Sequence, residues 1–139
     1  MKKAILIFMI FMYPLIVHNS DHYVIYISES TPIIAYSDLV YAINMVESGI
    51  DSTSYDIFAY NESEGATGAF QIRQCKLDDY NKLTGQNIKL NDLYDYNKSF
   101  EIFLYFARAY GKDYETIAKK WNGSGPMTEI YWNKVKEFL

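Results

Sequence analysis

Tyr36-Ser37-Asp38-Leu39-Val40-Tyr41-Ala42-Ile43-Asn44-Met45-Val46-Glu47-Ser48-Gly49 places Tyr36, Leu39, Val40, Ile43 and Val46 at helical spacing. Ser37 or Asp38 stands where it can cap the start, and Gly49 fits as the stop. The spacing predicts a buried helix with Glu47 in its last turn, beside the apolar stripe. A carboxylic acid in an apolar setting keeps its proton nearer to neutral pH, which is what a general acid needs. Taken alone, a glutamate in that place is more commonly a solvated surface residue.

Towards the C-terminus, residues 50–66 are rich in Asp, Ser, Asn, Glu and Gly. They predict a long polar loop with a small β-turn piece near Ile57 to Tyr60, and a loop of that length in a small domain is usually functional. Thr67 to about Lys82 is expected to form a second helix, approached through Gly65 and Gly68, with a turn at Thr84-Gly85-Gln86-Asn87. The clearest periodicity runs from about Asp95 to Tyr110, where Phe100, Phe103, Phe106 and Tyr110 form a stripe that Gly111 ends. Asp113 can cap the next helix, which leads through Ile117 and Ala118 to Trp121 and is broken by Asn122-Gly123-Ser124-Gly125-Pro126. A last helix spans roughly Thr128 to Leu139, with Tyr131, Val135 and Phe138 inward. The expected fold is a mainly α domain of about five helices over residues 37–139, beside a polar loop or small β-turn region.

Towards the N-terminus, Lys2 and Lys3 precede a run from Ala4 to Val17 that is apolar apart from Tyr13 and broken by Pro14. This is the pattern of a secretory signal, and it is short for a membrane span, which takes about 20 apolar residues. Residues 1–20 are expected to act as a signal peptide or, if retained, as an N-terminal anchor. Residues 21–36 form a leader, with Tyr23 to Ile27 as a short strand or extended arm. Either outcome puts the domain outside the cytoplasm, in the periplasm or cell envelope, and leaves membrane contact to this segment alone.

The chain has 139 residues, half of them apolar and 17% aromatic, with a formal net charge of -4. That suits one domain with a hydrophobic core and offers no basic stripe for nucleic acid. A ligand would have to be recognised by short-range contacts in a groove. Cys75 is the single cysteine, and His18 and His22 are the only histidines. No metal or cofactor is implied by so few soft ligands, and Cys75 is expected to be a small packed residue.

Two further stretches carry chemistry. Gly65-Ala66-Thr67-Gly68-Ala69-Phe70-Gln71-Ile72 combines glycines that admit close backbone approach with Gln71, an amide that both donates and accepts as sugar hydroxyls and acetamides require. Trp121-Asn122-Gly123-Ser124-Gly125 sets an aromatic surface beside an amide and a flexible turn, a combination that suits a sugar face. The plainer reading of the two stretches is a surface Gln and a core Trp before a helix stop.

Val46-Glu47-Ser48, then Gly65-Ala66-x-Gly68-x-Phe70-Gln71-Ile72, then Trp121-Asn122-Gly123-x-Gly125-Pro126 with Tyr131 beyond, resembles the soluble lytic transglycosylases of the lysozyme superfamily in order and spacing. The likeness extends over roughly residues 37–139. It implies an α+β lysozyme-like fold and Glu47 as sole acid/base on the β-1,4 bond between N-acetylmuramic acid and N-acetylglucosamine of peptidoglycan, leaving a 1,6-anhydro end. Ser48, Phe70, Gln71, Trp121, Asn122 and Tyr131 would bind substrate. Three departures stand out: Trp121 where the family usually has Tyr, Ala69-Phe70 in place of Leu-Met before the Gln, and Gln74-Cys75 where a Pro is common. Glu62 and Glu64 are candidates for the second carboxylate that a hydrolytic muramidase would use. The same residues are also compatible with a catalytically inactive glycan-binding envelope module, or with a helical interaction protein that performs no sugar chemistry. The implied partners are glycan strands and an envelope-spanning machine.

Overall fold

The computed structural model describes residues 36–139. The signal or anchor segment, and the leader up to residue 35, lie outside the described residues. The described chain is mainly α. In order come α1 (Ser37–Ser48), β1 (Tyr60–Asn61), β2 (Ala66–Thr67), α2 (Gln74–Thr84), a 3-10 helix (Leu90–Tyr94), α3 (Tyr96–Tyr110), α4 (Tyr114–Asn122) and α5 (Met127–Lys136). The two strands pair antiparallel, with Tyr60 opposite Thr67 and Asn61 opposite Ala66. No helix among the described residues is long and apolar enough to cross a membrane.

α1 buries Leu39, Val40 and Ile43, as its periodicity predicts, together with Ala42; Tyr36 and Val46 of the same stripe are partly buried. Its start differs from expectation. Tyr36, in the left-handed region at φ 63°, is the cap residue, and neither Ser37 nor Asp38 bonds the first turn as a cap. Asp38 instead lies within that turn, where a negative charge suits the helix dipole. Gly49 follows the helix in an extended conformation, at a place without room for a side chain: a Cβ there would lie 2.4 Å from the Met45 carbonyl oxygen.

The loop after α1 is ordered by its own acids and amides. Asp51 accepts from the Thr53 and Ser54 amides at 2.7 and 2.9 Å. Asp56 accepts from the Phe58 amide, and Asn61 from that of Ser63. Such side-chain-to-backbone turns replace the missing secondary structure.

The expected helix from Thr67 is the largest correction. Residues 65–72 form a hairpin arm and a tight turn, and the helix begins only at Gln74. Gly68 at φ 77° and Gln71 at φ 46° are left-handed, which a right-handed helix cannot contain. Thr67 and Ile72 exchange backbone hydrogen bonds of 3.1 and 3.0 Å across the turn. Gly68 is needed there because a Cβ would sit 2.5 Å from the Leu93 carbonyl oxygen. α2 then stops at Gly85, φ 73°, in agreement with the turn predicted there.

The other helices follow their sequence signals. Asp95 accepts from the Asn97 amide to cap α3, and Asp113 from the Thr116 amide to cap α4. The core gathers Leu39, Ile43, Phe70, Ile72, Leu77, Phe103, Ile117 and Trp121, with Tyr131 and Val135 from α5. Phe70 stacks on Phe103 at 5.1 Å, and Trp121 meets Phe103 edge-on at 5.1 Å. Leucine-sized and aromatic side chains fully withdrawn from water contribute about 1.5–3 kcal/mol each. This aromatic seam therefore fixes the turn at 65–72 against α3 and α4.

Candidate active site

The end of α1, the 65–72 turn, the start of α2 and the end of α4 surround a cavity of about 210 Å³. Its wall includes Glu47, Glu64, Gln71, Arg73, Lys76, Trp121 and Asn122.

Glu47 is brought to the wall by α1 and fixed from α5: the Tyr131 hydroxyl donates to its Oε1 at 2.7 Å. Burial pushes the Glu47 carboxyl up to about 7; the Tyr131 hydrogen bond and the charges of Arg73 and Lys76 pull the other way. Burial wins because removing a carboxylate from water costs more than one hydrogen bond and two partly screened charges return. Tyr131 is pushed well above the ordinary phenol range, by burial first and then by the neighbouring carboxylate. A carboxylic acid holding a proton near neutrality, facing a cavity, can donate that proton to a bound group and take one back.

The site residues expected from sequence fall into two sets. Glu47, Gln71, Trp121, Asn122 and Glu64 reach the cavity wall. Ser48, Phe70, Tyr131 and Glu62 are not part of that wall, each for a different reason. Phe70 is 0% exposed, packed in the aromatic seam below the cavity. Ser48 is buried, and its hydroxyl bonds the Asn44 and Ala69 carbonyls, which pins the end of α1 to the turn. Tyr131 is buried with its hydroxyl on Glu47, so it positions the acid. Glu62 lies exposed near the tip of the hairpin.

Gln71 and Trp121 also differ from expectation. The Gln71 amide donates to the Ala59 and Gly68 carbonyls at 3.2 and 3.0 Å, holding loop and turn together from the wall. Trp121 is 5% exposed, and its face is occupied by the Lys76 ammonium, 4.0 Å from the ring centre. It is a support for that cation rather than an open platform. Asn122 stands exposed at the end of α4. Glu64 forms an ion pair with Arg73, both about half exposed.

Arg73 and Lys76 are the residues of the wall that the sequence does not single out. Cys75, expected to be packed, is exposed on the same wall. One signal for Lys76 is present in the sequence: it lies four residues before buried Tyr80, on the inward side of α2. Among the described residues, no cluster of three or more His, Cys, Asp or Glu is placed to hold a metal ion. No family model matches the chain, and neither a curated protein nor a solved structure matches it.

Proposed function

We propose that the protein is a peptidoglycan lytic transglycosylase with a lysozyme-like domain, exported to the periplasm or cell envelope. The observation that supports this best is Glu47: a largely desolvated carboxyl, raised to about 7 and held by Tyr131, opening on a cavity. In the first step Glu47 gives its proton to the glycosidic oxygen, and the bond from that oxygen to the muramyl C1 breaks. The sugar's acetamide supports the resulting cation. In the second step the Glu47 carboxylate takes the proton of the muramyl C6 hydroxyl as that oxygen bonds to C1. A 1,6-anhydro end forms, no water is consumed, and Glu47 is returned protonated. One carboxyl serves both steps, so no second acid is required.

A hydrolytic muramidase is the second reading, because Glu64 shares the wall with Glu47. Glu64 is about half exposed and ion-paired with Arg73, whereas the single-carboxyl route needs Glu47 alone. Incubating the protein and its Glu47→Gln variant with purified peptidoglycan tests the proposal. Soluble anhydro-ended fragments from the first and none from the second are expected. No fragments from a folded wild-type protein would favour a glycan-binding envelope module.

A further inference from the structure

Lys76 has no task in the proposed proton transfers, yet it is held firmly in the wall. Its ammonium donates to the Trp121 carbonyl at 2.9 Å and lies over the Trp121 ring, with the Phe106 ring centre 5.4 Å away. An ammonium has three N–H bonds, and the carbonyl takes one. None of the ion pairs among the described residues includes Lys76. A partly buried cation with spare donors calls for an anion or gives up its proton. Burial lowers Lys76 to about 8, opposed by the charge of Glu47, so an anion beside the ammonium is what keeps it charged.

The charges on the wall then fail to cancel. Arg73 is matched by Glu64. When Glu47 carries the proton that the first step needs, Lys76 is left unmatched. This is a local positive spot in a chain whose formal net charge is -4. Long-range attraction of an anion is absent, so such a spot selects by contact.

We infer that Lys76 is the base of a carboxylate subsite, so that the substrate is an acidic glycan bearing a carboxylate next to the scissile bond. The inference rests on the glycan-cleaving activity proposed above. Two carboxylates of peptidoglycan share this chemistry: the lactyl group of a muramic acid without peptide, and an acid of the attached peptide. A cavity of about 210 Å³ falls below the roughly 300–1,000 Å³ of common small-molecule pockets. It suits one sugar unit with its own substituent, which favours the lactyl group. A carboxylate there would also cancel the field of Lys76, which otherwise draws the proton off Glu47.

Calorimetric binding and cleavage rates, measured on the full chain, test this with alternating N-acetylglucosamine–N-acetylmuramic acid oligomers. One set is peptide-free with lactyl carboxylates, one is the same with methyl esters, and one bears peptides. The free acid is expected to bind about tenfold more tightly than the ester, the size of one charge-assisted hydrogen bond. Lys76→Met should bring that ratio to about one, while Lys76→Arg keeps most of it. Peptide-bearing strands that bind like the ester identify the lactyl group as the source; strands that bind like the acid identify the peptide. Equal affinity of the wild type for acid and ester overturns the subsite, whether or not the variants fold. So does an acid preference that survives in Lys76→Met. Carboxylate-dependent binding without cleavage would keep the subsite and defeat the transglycosylase; cleavage indifferent to the carboxylate would do the reverse. Binding of none of the oligomers defeats both.

Discussion

The Tyr131 hydroxyl and Oε1 of Glu47 are 2.7 Å apart although 84 residues separate them in the chain. The contact joins α5 to the last turn of α1. It gives the carboxyl one fixed orientation, with the other oxygen left for the cavity. Because Tyr131 is buried beside a carboxylate, the phenol stays protonated and donates throughout the neutral range. Burial of Glu47 and its anchoring are thus separate devices, and they can be removed separately.

The first device sets a pH dependence. A Glu47 carboxyl at about 7 must be protonated to act as the acid, so kcat/KM should hold at lower pH and fall as pH rises past about 7. Stability shares the sign. The folded-state value lies above the ordinary 4.5, so the folded protein binds this proton more tightly than the unfolded chain. Its contribution is complete below about 4.5 and is lost as pH rises to about 7, a change of about 3 kcal/mol. Denaturant unfolding of wild type and Glu47→Gln between about pH 4 and 8 should show that slope in the first only. Parallel curves would mean that Glu47 is not the buried acid.

Removing the anchor should act through the acid. Tyr131→Phe deletes a hydrogen bond that favours the ionised carboxylate, so the Glu47 pKa should rise and the high-pH limb of activity should move upward. Loss of orientation should lower kcat about tenfold, and loss of the bond should cost about 1 kcal/mol of stability. A pH profile of this variant checks the limb and the rate, and urea unfolding checks the stability; a limb that stays in place would make the contact incidental to the acid.

Gly68 and Gly85 offer a test of the turn that carries the wall. Both have positive φ, 77° and 73°, but a Cβ at Gly68 meets the Leu93 carbonyl oxygen at 2.5 Å, whereas at Gly85 it meets nothing within 4 Å. Gly85→Ala should cost about 1 kcal/mol from backbone strain alone. Gly68→Ala should cost about 2–4 kcal/mol, since strain and a backbone clash add. Urea midpoints measure both, and equal losses would contradict the close packing of the turn on the 3-10 helix.

Helices are legible in the sequence where apolar periodicity and a cap agree. In α3 the Phe103 and Phe106 stripe lies between Asp95 and Gly111, and in α4 Asp113 caps the run to Trp121. The helix expected from Thr67 to about Lys82 starts too early, because the conformation of its first residues is dictated by a long-range fit that local sequence does not encode. Gly68 abuts Leu93, and Gln71 bonds Ala59. Glu47 stands out through its place beside an apolar stripe. Its partner Tyr131 reads as an inward residue of α5 and, through the resemblance, as a substrate contact; its bond to Glu47 is not legible, because which hydroxyl meets which carboxyl is a tertiary matter. Lys76 is only faintly legible: its spacing from Tyr80 points inward, but a lysine in a first helical turn is ordinarily solvated, and the Trp121 ring beneath it is a tertiary contact.

The measurement that bears most directly on the central claim is the mass of the soluble fragments released from purified peptidoglycan, with Glu47→Gln alongside. Muropeptides ending in 1,6-anhydromuramic acid are expected from the wild type, and none from a variant that folds as well. Fragments heavier by one water would contradict that claim in favour of hydrolysis and turn attention to Glu64. Undiminished release by Glu47→Gln would show that the acid lies elsewhere.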